Sequence, residues 1–175
     1  EGFFSIPVDT LSAVGALAHD LRSRLDPATV VVSPDAGRVK LATEYALELD
    51  APLAVLHKRR QSGSETEVAQ LVGAVEGRPC LLVDDLISTG GTLVQSVRAL
   101  RDAGATGFRV AATHGLLLND ALGRLAAEGV GEVLVTDTVP LPASSDASPV
   151  RVATVAPLVA GVIRKLLYGT PPLAR

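Results

Sequence analysis

Apolar positions along the chain follow two rhythms that alternate. Leu11, Val14, Leu17, Ala18, Leu21 and Leu25 recur at three- and four-residue steps and so line one face of a helix, with Asp9 ahead of them as an N-cap. After Pro27 the pattern becomes Thr29-Val30-Val31-Val32, four β-favouring residues in a row, which predicts a strand covered on both faces. The pair then repeats. Val39, Ala42, Ala46 and Leu49 predict a helix, and residues 53–56 a second buried strand. Residues 80–83 predict a third strand, followed by a helix through Leu93, Val97 and Leu100 that Gly104 stops from the C′ position. Residues 108–112 and 133–135 read as strands flanking a short helix at Ala121, Leu122 and Leu125. Residues 150–152 read as a short edge strand, and Ala156, Val159, Ile163, Leu166 and Leu167 as a closing helix. Two stretches break the rhythm. Residues 58–67 are polar around Ser62-Gly63-Ser64 and read as a functional lid or a disordered tip, and residues 139–149 as a Pro/Ser/Asp loop.

Alternating strands and helices with Val-rich strands predict an α/β fold. It is a doubly wound, mostly parallel sheet of about five strands with helices on both faces. No internal repeat and no second core is visible, so residues 1–175 read as a single domain, long enough to bury a sizeable core. The net charge of −3 offers no basic field for nucleic acid. No apolar run approaches the ~18–20 residues of a membrane span, and no signal peptide opens the chain. A lone Cys80 excludes an internal disulfide and a cysteine metal cage, so a reducing, cytoplasmic location is expected. The chain contains no Met, so Glu1 reads as something other than a natural start and the sequence as a fragment or processed chain.

In a doubly wound sheet, ligands gather at the carboxyl ends of the strands. There the chain offers Ser33-Pro34-Asp35-Ala36-Gly37, then His57-Lys58-Arg59-Arg60, then Asp84-Asp85, then Thr113-His114-Gly115, then Thr136-Asp137-Thr138. The third is the most specific, because Asp84-Asp85-Leu86-Ile87 runs into Ser88-Thr89-Gly90-Gly91-Thr92 at the start of a helix. Small residues let the backbone wrap an anion, and the helix N–H groups favour a phosphate. Two carboxylates repel a phosphate but suit the hydroxyls of a sugar beyond it, so the residue chemistry predicts a sugar phosphate. The bland alternative is a β–α turn eased by two glycines. Lys58-Arg59-Arg60 taken alone is a solvated charge run. His57 and His114 lack a second ligand at metal spacing and read as structural or rim groups. Asp137 reads equally as a cap or a ligand, and Cys80 as a small apolar residue.

Residues 83–92 resemble the phosphoribosyl-binding loop of the type I phosphoribosyltransferase fold. Together with Gly2-Phe3-Phe4, Ile6-Pro7-Val8-Asp9, Ser33-Pro34-Asp35, Lys58-Arg59-Arg60, Ala112-Thr113-His114-Gly115 and residues 136–141, in that order, they resemble the carboxyl-terminal half of ribose-phosphate pyrophosphokinases, which make phosphoribosyl diphosphate (PRPP). The resemblance implies a two-domain enzyme that transfers the diphosphate of ATP to ribose 5-phosphate with Mg2+, built as a homo-oligomer. It implies that Ser88, Thr89, Gly90, Gly91 and Thr92 hold the 5-phosphate and that Asp84, with Asp85, holds ribose hydroxyls. It implies that Asp35 binds Mg2+ and that Lys58 and Arg60 act catalytically from a flap over the transferring phosphates. Cations there meet charge that grows during diphosphate transfer.

Two positions depart from that family. Arg38 stands where it usually has a glycine, and would either crowd the metal corner or add a phosphate contact. Ser88 stands where it usually has an acidic residue. Two alternatives remain open: a stand-alone type I phosphoribosyltransferase that uses PRPP, for which no aromatic hood over a base is visible, and a non-catalytic regulatory relative of the synthetase.

Overall fold

The computed structural model describes residues 4–6, 8–60, 67–142 and 149–169, with the backbone alone at 58–60 and 67–69. A seven-stranded sheet runs β3-β2-β1-β4-β5-β6-β7. Its strands are β1 (Val30–Ser33), β2 (Leu53–Arg60), β3 (Glu67–Val72), β4 (Pro79–Ile87), β5 (Gly107–Gly115), β6 (Val130–Thr136) and β7 (Val150–Ala153). Every pairing is parallel except β2 with β3. Among the described residues five α-helices accompany them: α1 (Val14–Arg22) ahead of β1, α2 (Val39–Leu49), α3 (Gly91–Asp102) and α4 (Ala121–Ala127) between strands, and α5 (Ala156–Tyr168) after β7.

The Val run of β1 shows why the sheet is covered on both faces. Side chains alternate along a strand, so Val30 and Val32 join one core with Leu82, Val110 and Val133, under α3 and α4. Val31 joins the other with Leu81, Val83, Ala111 and Leu134, under α1 and α2. The chain leaves β1 for β2 on one side and returns to β4 on the other. That makes β1/β4 the switch point, with Val31 in register with both Leu53 and Leu81.

Three expectations are corrected. Asp9 does not cap α1: the helix begins five residues later, at Val14, whose N–H reaches the Ser12 hydroxyl at 3.3 Å. Residues 58–60 and 67 are not loop, because β2 continues to Arg60 and pairs antiparallel with β3, Arg60 opposite Glu67. Ladder hydrogen bonds carry this extension, so its polar sequence needs no buried face. The predicted tip, residues 61–66, lies outside the described residues, as do residues 143–148 of the predicted Pro/Ser/Asp loop. Third, the Asp84-Asp85 pair is inside β4 rather than after it, since Leu86 and Ile87 still pair with His114 and Gly115.

Candidate functional site

The turn from β4 into α3 has a geometry that can hold an anion. Gly90 is the residue before the helix and has φ +72°, a conformation that a β-branched residue resists. Among the described residues no side chain caps α3, and Gly91, Thr92 and Leu93 of its first turn line a hollow of about 120 Å³. Asp84 and residues 86–93 line it, which brings all five predicted phosphate-loop residues, Ser88 to Thr92, together. The turn is held from below. Arg124 of α4 donates to the Thr89 carbonyl, and the N–H groups of Leu117 and Leu118 donate to the carbonyls of Ile87 and Ser88 at 3.0 and 2.9 Å.

Asp84 and Asp85 do not stand unpaired beside this turn. The Arg38 guanidinium bridges them, its Nε 2.8 Å from Asp84 Oδ1 and its Nη2 2.8 Å from Asp85 Oδ1. The Asp85 N–H also donates to Asp84 Oδ1 at 2.8 Å. Asp84 is buried, while the Asp85 side chain is 51% exposed. Burial pushes the Asp84 carboxyl above the usual aspartate range, against the downward pull of Arg38 and of the Asp85 N–H. Arg38 takes up its counter-charge role from the turn after β1, where Asp35 Oδ1 accepts the N–H groups of Gly37 at 2.7 Å and Arg38 at 3.1 Å.

Among the described residues no group of three or more His, Cys, Asp or Glu side chains forms a metal cage. One Asp35 carboxylate at a strand end fits the other manner of holding Mg2+, in which one or two carboxylates meet an ion that arrives with phosphates and water.

The remaining strand ends carry a polar rim. His114 Nδ1 lies 2.7 Å from Thr138 Oγ1, and Thr136 Oγ1 donates to the Thr113 carbonyl at 2.6 Å. Asp137 accepts the Val155 N–H at 2.9 Å just ahead of α5, and hydrogen bonds from the Thr154 side chain and from that N–H hold its carboxyl below the usual range. His57 is exposed on β2 opposite Gln70. The backbones of Lys58 and Arg60 pair with Ala69 and Glu67, but their side chains lie outside the described atoms. Sequence reasoning missed Arg124 and the Arg38 bridge. A basic residue on a short helix carries no spacing signal, and the bridge joins residues 46 apart.

Comparison with known proteins gives this geometry a family. The profile of the phosphoribosyl synthetase-associated domain matches residues 63–171. A ribose-phosphate pyrophosphokinase of Caldanaerobacter subterraneus is 44% identical over 97% of this chain, and one of Streptomyces avermitilis is 43% identical over 95%. The matches take in 54% and 52% of those proteins, so the chain spans about half the length of the curated relatives it matches. Among solved structures, phosphoribosylpyrophosphate synthetase from Mycobacterium smegmatis superposes with a TM-score of 0.85 at 40% identity, covering 97% of this chain and 55% of that one. Adenine phosphoribosyl transferase from Trypanosoma brucei, solved with AMP, pyrophosphate and ribose-5-phosphate, gives 0.57 at 25% identity over 78% of this chain and 68% of its own. The fold is thus that of the type I phosphoribosyltransferases, and the chain belongs to the phosphoribosyl synthetase-associated domain family.

Proposed function

We propose that this chain is the ribose 5-phosphate-binding half of a ribose-phosphate pyrophosphokinase. The uncapped N-terminus of α3, wrapped by Ser88 to Thr92 around a hollow beside Asp84, carries the reading. There the 5-phosphate accepts from backbone N–H groups and from the hydroxyls of Ser88, Thr89 and Thr92. Asp84 and Asp85 accept from ribose hydroxyls, and the sugar's C1 side then points along the rim toward Asp35 and the end of β2. In the reaction the anomeric oxygen bonds to the β-phosphorus of ATP, the bond from that phosphorus to the α-phosphate oxygen breaks, AMP leaves and the hydroxyl proton is released. Lys58 and Arg60 would meet the charge that builds on the transferring group, and Asp35 would hold the Mg2+ that neutralises it. The relatives and the stronger structural match are synthetases, which favours this reading over a stand-alone phosphoribosyltransferase.

An NMR titration of ribose 5-phosphate against the chain and its Gly90→Val variant tests it. The variant must give up the left-handed turn, so its affinity should fall at least tenfold. Equal affinities would remove the phosphate loop from the proposal.

A further inference from the structure

We propose that Arg38 is an internal competitor for the sugar: it occupies the hydroxyl-binding edge of Asp84 and Asp85 until a ribose displaces it. This rests on the reading above, in which that carboxylate pair receives the ribose hydroxyls. A guanidinium presents two N–H donors side by side in a fixed fork, much as a vicinal diol presents two O–H donors. Arg38 uses the fork in this way, with Nε on one carboxylate and Nη2 on the next, each at 2.8 Å. One Asp84 oxygen already serves both the Arg38 Nε and the Asp85 N–H. A hydroxyl arriving at the Oδ1 oxygens of the pair therefore has to exchange with the guanidinium.

The exchange is feasible because of where the three groups sit. The Arg38 side chain is 39% exposed and Asp85 is half exposed, so water can receive the released guanidinium. The backbone of Arg38 stays fixed meanwhile by the Asp35 turn. Two ion pairs are given up for bonds from neutral hydroxyls, so the resident arginine lowers the affinity for the sugar. Specificity follows too. A free phosphate or a sugar that lacks the diol gains nothing from displacing Arg38, whereas a ribose 5-phosphate recovers two acceptors.

NMR titrations of the chain and its Arg38→Gln variant, at pH 8 and fixed ionic strength, test this with ribose 5-phosphate and inorganic phosphate as ligands. Arg38→Gln should bind ribose 5-phosphate roughly three- to tenfold more tightly, a gain set by the modest strength of partly exposed ion pairs. Its affinity for inorganic phosphate should not rise, and should fall slightly, because Asp84, which lines the hollow, loses its counter-charge. Arg38→Lys, which keeps the charge but loses the fork, should fall between parent and Gln variant and serves as the second test if Arg38→Gln does not fold. Unchanged or weaker binding of ribose 5-phosphate would overturn the inference, as would an equal gain for inorganic phosphate. Gly90→Val, titrated alongside, separates the two ideas. If it loses ribose 5-phosphate while Arg38→Gln binds as the parent does, only the role of Arg38 fails. If it binds as the parent does, the sugar-phosphate reading fails and this inference with it.

Discussion

At the scale of single residues, the site holds one carboxylate at a cost. Asp84 is buried in a sheet whose neighbours are apolar, and its proton is bound more tightly in the folded chain than in an unfolded one. A group of this sign favours folding least at pH values above its folded-state pKa, where both states are ionised and the folded one carries the desolvated charge. The penalty lifts as the pH falls and the folded carboxyl takes up its proton first. Asp84→Asn should therefore raise the melting temperature at pH 8, and the advantage should shrink on titration toward pH 4. A calorimetric series across that range checks it, and a variant less stable than the parent at pH 8 would show that the Arg38 bridge outweighs burial. The same substitution should weaken ribose 5-phosphate binding, which is the usual exchange of stability for function. The acidic pair was legible in the sequence because two adjacent carboxylates directly after a buried apolar run need partners. Their partner was not, because a contact between Arg38 and β4 exists only once the sheet has set β1 beside β4.

Elements were legible where burial alone decides them. β1, the middle of β4 and the apolar faces of α1, α2 and α3 are dictated by side chains that must leave water, and their periods are visible. β3 was not, since an edge strand held by ladder hydrogen bonds to a polar partner shows little alternation. Its anchor is instead a backbone feature. Gly73, just past β3, has φ +112°, and a Cβ there would lie 2.8 Å from the Ala54 Cβ and 2.9 Å from its Cα. Gly73→Ala meets both the forbidden conformation and the clash with β2, so it should destabilise the chain by about 2–3 kcal/mol. Thermal denaturation measures this. A loss within 0.5 kcal/mol would mean that the β2–β3 pair shifts without consequence for the rest of the sheet.

Across the whole molecule, much of the described exposed apolar surface lies on α5 and near the start of the chain. α5 buries none of its residues and exposes Val159, Ile163, Leu166, Leu167 and Tyr168, while Phe4, Ile6, Val8 and Leu11 are exposed near the other end of the chain. The sheet interior is the opposite, with Leu81 and Leu82 of β4 each fully buried, one in each core. The switch between β1 and β4, which places the site, also imposes an order in time. Joining Val30 to Cys80 closes a loop of about fifty residues that contains α2, β2 and β3. Neither core is complete before that closure, so the slow step of folding should include it. Leu82→Ala, on β4, and Leu125→Ala, on α4, each remove a fully buried leucine and should each cost about 2–5 kcal/mol. In stopped-flow refolding, Leu82→Ala should spend most of its cost on a slower folding rate, and Leu125→Ala most of it on faster unfolding. Equal partition would mean that the strands meet only after the rate-limiting barrier. If the expected partition holds, the two halves of the candidate rim come into being together, at the moment the chain commits to its fold.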